Sequence, residues 1–292
     1  MKYILISNPR SGSYNKKKLD SFKQLMLQHN INVEDMTLKE NQWVSDIIKD
    51  LPGDEKYCMI FACGDGTINN AVNAIINRID NENFYISVIP MGTANVFCKE
   101  LYIRNYKDTV KHILRNQPLN MRLGYVRALD NSKSKYFFLM ASAGLDSMAV
   151  YYINEKLKSK IGKLAYIVAF FKAFWKSRKV DIFAKIDGNI YKNKITCVLN
   201  GKYYGGGFKI GQKAINESGF EVIMIKKFDF IHFNIFSIIK YFLTRKTKNI
   251  ISIRTNKIEL ESNNFMSLEI EGDSFCNLPV AIESTGKTLK VL

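Results

Sequence analysis

A chain of 292 residues is long for one hydrophobic core and predicts two domains. Hydrophobic residues at 47% and charged residues at 24% exclude a disordered or collagen-like chain. The 43 Lys and Arg against 27 Asp and Glu leave a net charge of +16. That excess favours an anionic partner, whether nucleic acid, a phosphate-rich ligand or an acidic membrane leaflet, although an evenly basic surface would give the same figure.

Up to residue 123 short apolar runs alternate with longer amphipathic ones, the pattern of strands and crossover helices in a parallel sheet. Strands are predicted over residues 2–6, 57–62 and 85–89, and helices over 17–27, 67–79, 95–101 and 106–114. From residue 124 β-type runs dominate, at 136–140, 180–186, 190–199, 220–225, 250–260 and 265–270. Asp187-Gly188-Asn189 is a hairpin turn signal, because Gly and Asn tolerate positive φ. Two apolar stretches, 164–175 and 228–243, read as helices inserted in a largely antiparallel β-domain. Lys172 interrupts the first, and His232, Asn234 and Lys240 the second, so neither offers the ~20 apolar residues of a membrane span.

The five cysteines, Cys58, Cys63, Cys98, Cys197 and Cys276, form no CxxC pair, and most lie in apolar runs where a thiol packs as a small hydrophobe. A reduced, cytoplasmic protein is expected, since Ser7, Asn8 and Pro9 stop the first apolar run before a signal-peptide core forms. His29, His112 and His232 have no partners that suggest zinc or triad chemistry.

Loops at the strand ends carry the chemistry. Cys63-Gly64-Asp65-Gly66-Thr67-Ile68-Asn69-Asn70 follows a buried strand and opens a helix whose apolar face includes Ile68, Ala71, Val72, Ile75 and Ile76. Two glycines allow close backbone approach, and unpaired amides at the helix start, with the Thr67 hydroxyl, make an anion site. Phosphate repels Asp65 unless a cation lies between them, so a carboxylate here points to Mg²⁺. Asn8-Pro9-Arg10-Ser11-Gly12 ends the first strand, and Pro90-Met91-Gly92-Thr93-Ala94-Asn95 ends the one at Ile89. In an open parallel sheet such loops converge on one crevice. No GxxxxGK[ST] or GxGxxG motif occurs.

The ordered series Asn-Pro-x-Ser-Gly, Gly-Asp-Gly-Thr-x-Asn and Pro-x-Gly-Thr-x-Asn resembles the diacylglycerol kinase catalytic superfamily, which includes bacterial lipid kinases, sphingosine kinases and ceramide kinases. The similarity continues through Ala143-Gly144-Leu145-Asp146, the segment from Gly205 to Ile210, Ser218-Gly219 and Glu271-Gly272-Asp273. It implies an α/β N-terminal domain with a parallel sheet over residues 1–123, joined by the C-terminal tail at about 286–292, and an antiparallel β-sandwich over 124–285 that receives the lipid. ATP contacts are implied at Asn8, Pro9, Arg10, Ser11, Gly12, Gly64, Asp65, Gly66, Thr67, Ile68, Asn69, Asn70 and Thr93, with Thr37 as a further match.

Three departures from the family pattern stand out. Cys63 replaces its first glycine, and Asn70 the usual Glu. The late Asp-Gly-Glu reads Glu-Gly-Asp, which keeps two carboxylates in exchanged order. An Asp-Gly reads Ser218-Gly219, so the second, structural Mg²⁺ site of some bacterial members would rest on Glu217 and Ser218.

The implied reaction is transfer of the ATP γ-phosphate to a lipid hydroxyl, of diacylglycerol or a related lipid. It needs positioning, charge neutralisation near Asp65 with Mg²⁺, and a base. Asp273 is the first candidate for the base and Glu271 the second; alone, the same three residues read as a β-turn. Asp146 reads as a strand-end or site-lining residue.

An NAD kinase-like enzyme and a non-catalytic lipid-binding relative are the alternatives. The implied partners are ATP, a lipid and an anionic membrane surface at the inner face of the membrane; no nucleic-acid module is present, and a homodimer is compatible with the sequence. Basic residues bracket both apolar stretches: Lys156, Lys158, Lys160, Lys163, Lys176, Arg178 and Lys179 around one, and Lys226, Lys227, Arg245, Lys246 and Lys248 around the other. Such helices suit a bilayer interface, or pack on the β-domain with solvated ends.

Overall fold

The computed structural model describes residues 1–152, 164–227 and 249–292, with backbone alone for 164–170. The predicted helix at 228–243 lies outside the described residues. Contacts divide the chain into two units: Met1–Leu123 with Tyr203–Lys209 and Thr285–Leu292, and Gly124–Lys202 with Ile210–Ser284.

The first unit alternates β1 (Lys2–Ser7), α1 (Lys16–Gln28), β2 (Val33–Thr37), α2 (Val44–Lys49), β3 (Tyr57–Cys63), α3 (Asp65–Ile76), β4 (Phe84–Pro90), α4 (Val96–Glu100) and α5 (Tyr106–Arg115). The strands pair in parallel in the order β2-β1-β3-β4, and the C-terminal residues Lys290 and Val291 add beside Tyr85 and Ile86. Every residue of β3 is buried. That is why its sequence is a continuous apolar run rather than an alternating one. Leu5, Cys58, Ile60 and Ile89 pack with Leu19, Phe22 and Met26 of α1 and Val110 and Ile113 of α5. The strand order reverses between β1 and β3, and the loops leaving these two strands flank that reversal, where open α/β sheets bind ligands.

The chain then runs through β5 (Leu119–Ala128), β6 (Ser134–Phe137), β7 (Met140–Ala143), α6 (Leu145–Tyr152), α7 (Leu164–Ser177), β8 (Ile182–Ile186), β9 (Asn189–Asn193) and β10 (Ile195–Leu199). After the short pair β11 (Tyr203–Tyr204) and β12 (Phe208–Lys209) come β13 (Phe220–Ile225), β14 (Ile250–Thr255), β15 (Lys257–Ser262), β16 (Ser267–Ile270), β17 (Asp273–Asn277) and β18 (Val280–Val291). In the second unit β14-β13-β10-β7-β16-β17 forms one antiparallel sheet. A second layer pairs β9, β8, β15 and the start of β18. Between the layers Phe137 stacks on Phe220 at 5.5 Å, and a Cβ on Gly124 would lie 2.3 Å from the Phe137 ring, so only glycine fits there.

The expected α/β domain with a parallel sheet and antiparallel β-sandwich is therefore present, with different element boundaries. Predicted strands 190–199 and 250–260 each split in two, at Lys194 and Asn256, because the chain changes sheets there: β9 pairs with β8 but β10 with β7 and β13, and β14 pairs with β13 but β15 with β8. Hydrophobicity persists across such a corner, so periodicity does not mark it. The helix expected over 67–79 is Asp65–Ile76, started two residues early by Gly64, whose carbonyl accepts from Thr67 N and Ile68 N.

Candidate functional site

In the first unit, three loops meet. Asn8, after β1, accepts from Arg10 N at 3.0 Å through Oδ1, and its Nδ2 donates to Thr67 Oγ1 at 3.4 Å. Ser13 donates to Met91 O through its amide at 2.9 Å and to Gly92 O through Oγ at 3.0 Å. A Cβ on Gly92 would lie 2.7 Å from Gly64 Cα, and one on Gly12 would lie 2.5 Å from Thr93 Oγ1. Gly92 is thus needed where the second and third loops meet, and Gly12 lets the first loop approach Thr93.

Asp65 sits in the first turn of α3, and its carboxylate accepts from Val96 N and Phe97 N, each at 3.0 Å. It therefore ties the Gly-Asp-Gly loop to the start of α4. Burial pushes its pKa up, against the lowering effect of these amides and of Lys99. Asn95 completes the arrangement in the left-handed conformation (φ 48°), accepting from Gly92 N at 2.7 Å and donating to Gly92 O at 2.9 Å. Sequence reading took Asn95 only as part of a motif; its role as a clasp follows from that backbone geometry.

Thr37 ends β2, its hydroxyl 3.1 Å from Ser7 Oγ. Asn70 faces the other way and accepts from Ser45 N at 3.2 Å, while Asn69 is buried inside α3. Pro9, Arg10 and Ser11 lie on the loop after β1, Gly66 is in the first turn of α3, and Ile68 is buried in α3.

In the second unit, Glu271-Gly272 is the two-residue turn of the β16–β17 hairpin, which Ile270 and Asp273 close. Both turn residues have positive φ, 54° and 84°, the twist of a type I′ turn. Glu271 is held in this costly conformation by its own groups. Its Oε1 accepts from Phe138 N at 2.8 Å and Leu139 N at 2.9 Å, and its amide donates to Met140 O. Asp273 is exposed. The charges of Asp273 and Glu271 act on Lys135, whose pKa burial pulls down. Asp146 lies in the first turn of α6, a helix not predicted, with Oδ2 2.7 Å from Ser142 Oγ.

Glu217 and Ser218 lie on the exposed segment before β13. Glu217 is half exposed, accepts from Ala214 N and pairs with Arg254 at 3.4 Å, and among the described residues no three His, Cys, Asp or Glu side chains cluster for a metal. The buried Lys213 Nζ donates to Asn200 O at 2.9 Å, Asn200 Oδ1 at 3.3 Å and Ala214 O at 3.0 Å. A lysine in an irregular segment gives no periodic signal of burial, so sequence reading passed over it.

Parallel sheet, converging glycine loops and a β-sandwich define a two-part α/β kinase-type architecture. Residues 2–126 match the diacylglycerol kinase catalytic domain, and residues 140–292 match the YegS C-terminal NAD kinase beta sandwich-like domain. The chain belongs to the family that joins these two domains. A diacylglycerol kinase of Staphylococcus aureus (strain MRSA252) is 24% identical over 287 residues, covering 94% of this chain and 87% of that protein. One of Staphylococcus epidermidis (strain ATCC 12228) is 24% identical, covering 94% and 86%. The crystal structure of a diacylglycerol kinase from Bacillus anthracis str. Sterne superposes with a TM-score of 0.70 at 16% identity, covering 99% of this chain and 96% of that one, a likeness of fold.

Proposed function

We propose that this protein transfers the γ-phosphoryl group of ATP to the hydroxyl of a membrane lipid, diacylglycerol or a close relative. Family membership makes it an ATP-dependent kinase. The observation that carries the reading is the mutual approach of Gly12, Gly64, Gly92 and Thr93, which brings three loops together at the strand-order reversal. Backbone amides at the start of α3, with Asn8 and Thr67, would bind the phosphates. Asp65 has a second lone-pair site on each oxygen beyond the two amides it accepts, so it fits a Mg²⁺ carried mainly by phosphate oxygens and no protein-caged ion. Bound there, Mg²⁺ would offset phosphate charge. Asp273 accepts the hydroxyl proton, because its carboxylate is exposed while Glu271 is committed to two amides.

The protein works from the cytoplasmic side as a peripheral membrane enzyme, as a monomer or a homodimer. Among the described residues no helix is long and apolar enough to cross a membrane. Support for an interfacial role comes from the second unit, where Tyr151, Trp175 and Phe265 are exposed, Arg178 lies 3.9 Å over the Trp175 ring and Lys172 lies 4.3 Å over Tyr152.

Radiolabelled ATP offered with diacylglycerol, sphingosine, ceramide, undecaprenol or phosphatidylglycerol in mixed micelles tests the reading. Label is expected in the organic phase with diacylglycerol or a near relative. No transfer to any of the five would refute it.

A further inference from the structure

Behind the β16–β17 hairpin three polar side chains meet in the interior of the second unit. Ser142 on β7 is fully buried, Glu269 on β16 nearly so, and Asp146 projects from the first turn of α6. Ser142 Oγ lies 2.7 Å from Asp146 Oδ2 and 2.7 Å from Glu269 Oε1. Glu269 stands opposite Ser142 in the β7–β16 ladder, and Cys197 stands opposite it in the β7–β10 ladder. Register thus fixes this contact.

A hydroxyl carries one hydrogen and can donate to one carboxyl only. The other 2.7 Å contact is a hydrogen bond only if that carboxyl carries a proton and donates to Oγ. Two ionised carboxylates here would face a serine lone pair and each other in a poorly solvated interior. Asp146 Oδ1 adds an independent sign, being buried with no hydrogen-bond partner among the described residues, a placement far less costly for a neutral carboxyl than for a charged one.

We propose that Ser142, Asp146 and Glu269 hold one shared proton, and that this proton keeps the Glu271–Asp273 hairpin in the position from which it serves phosphoryl transfer. The three are positioning residues, and only the second clause rests on the kinase reading. Glu269 lies on β16 two residues before the turn residue Glu271 and pairs with Ser274 just beyond Asp273, so a shift of β16 moves the turn.

Among the described residues, Asp273 of β17 acts on Glu269, Cys197 of β10 is acted on by Asp146 and Glu269, and Lys135 of β6 feels Asp273 and the turn residue Glu271 beyond them. Burial first, then Asp146, push the Glu269 carboxyl up to about 8, and burial raises Asp146 as well. Cys197, raised far by burial, stays a neutral thiol. The carboxyl pair therefore holds its one shared proton more tightly folded than unfolded. The stability this gives is complete below the ordinary carboxyl range, near 4.5, and is lost as pH rises toward about 8, with no further change above.

Unfolding of the full chain measured from pH 5 to 9 tests the proposal on wild type, Glu269→Gln and Asp146→Asn, with turnover followed in parallel. An amide supplies a hydrogen that does not titrate. Each variant is therefore expected to lose one proton's worth of pH dependence, about tenfold in the folding constant per pH unit inside the window. The infrared band of a protonated carboxyl, present in wild type at pH 7, should vanish from both. Wild type and the folded variants sharing one slope and one spectrum would overturn the shared proton. If the slopes differ as stated, the alkaline fall in kcat should move in Glu269→Gln with KM for ATP unchanged; an unmoved alkaline limb would overturn the positioning role. If no lipid is phosphorylated at all, the kinase reading and with it the positioning role fall, while the slopes still decide the proton.

Discussion

Asp65 has a structural role beside the chemical one proposed for it. Its two hydrogen bonds to Val96 N and Phe97 N hold one loop of the site against another. Asn keeps one acceptor oxygen and turns an NH₂ toward the other amide. Asp65→Asn is therefore expected to cut turnover to a few percent or less at saturating Mg²⁺ and to lower stability by about 1–3 kcal/mol, read from kcat and from denaturant unfolding. Retention of most activity would show that the carboxylate charge is not used. At the hairpin, Asp273→Asn should lower kcat by ~10²–10⁴ with KM for ATP nearly unchanged. Glu271→Gln keeps an acceptor for the Phe138 and Leu139 amides, so it should cost less turnover; the reverse order would exchange the two roles. The sequence displays such loop residues because glycines and a carboxylate between an apolar strand and a helix break the local pattern. Glu269 and Ser142 are not visible in the same way: β16 and β7 are buried at every position, so alternation never marks an inward polar residue.

At the scale of elements, the first unit was readable because strand and helix differ in period, and each loop carries its own glycines. Gly92 is the sharpest test of that packing. A methyl there meets the backbone of Gly64, which cannot rotate away, so Gly92→Ala should weaken ATP binding and destabilise the unit by about 1–3 kcal/mol, checked by calorimetric titration and thermal unfolding. In the second unit the number of strands was harder to read, since the corners at Lys194 and Asn256 join strands of different sheets without a break in hydrophobicity. Lys194 itself helps to hold its corner, donating to Arg178 O and Val180 O and pairing with Asp181 at 2.9 Å. Lys213→Met, which removes a buried cation from its carbonyl partners, is expected to destabilise by about 1–3 kcal/mol in guanidinium unfolding, with no gain from added Mg²⁺. Rescue by Mg²⁺ would mean that the ammonium and a metal compete for one place.

For the molecule as a whole, the +16 charge is the property that composition alone revealed, and its partner is the question it raises. A basic, aromatic-tipped second unit should bind anionic phosphatidylglycerol vesicles reversibly. Each Lys or Arg near the surface contributes about 1 kcal/mol, screened beyond ~8 Å at physiological salt. Sedimentation should therefore fall steeply with added salt, and equal binding to neutral vesicles would remove the electrostatic part of that account. The central claim is phosphoryl transfer to a lipid alcohol. ³¹P NMR of the protein with ATP, Mg²⁺ and diacylglycerol micelles, run beside a tube in which NAD replaces the lipid, tests it most directly. The expected result is one lipid phosphomonoester formed for each ADP, no product from NAD, and neither signal from Asp273→Asn. Formation of NADP, or of inorganic phosphate without lipid phosphomonoester, would contradict it.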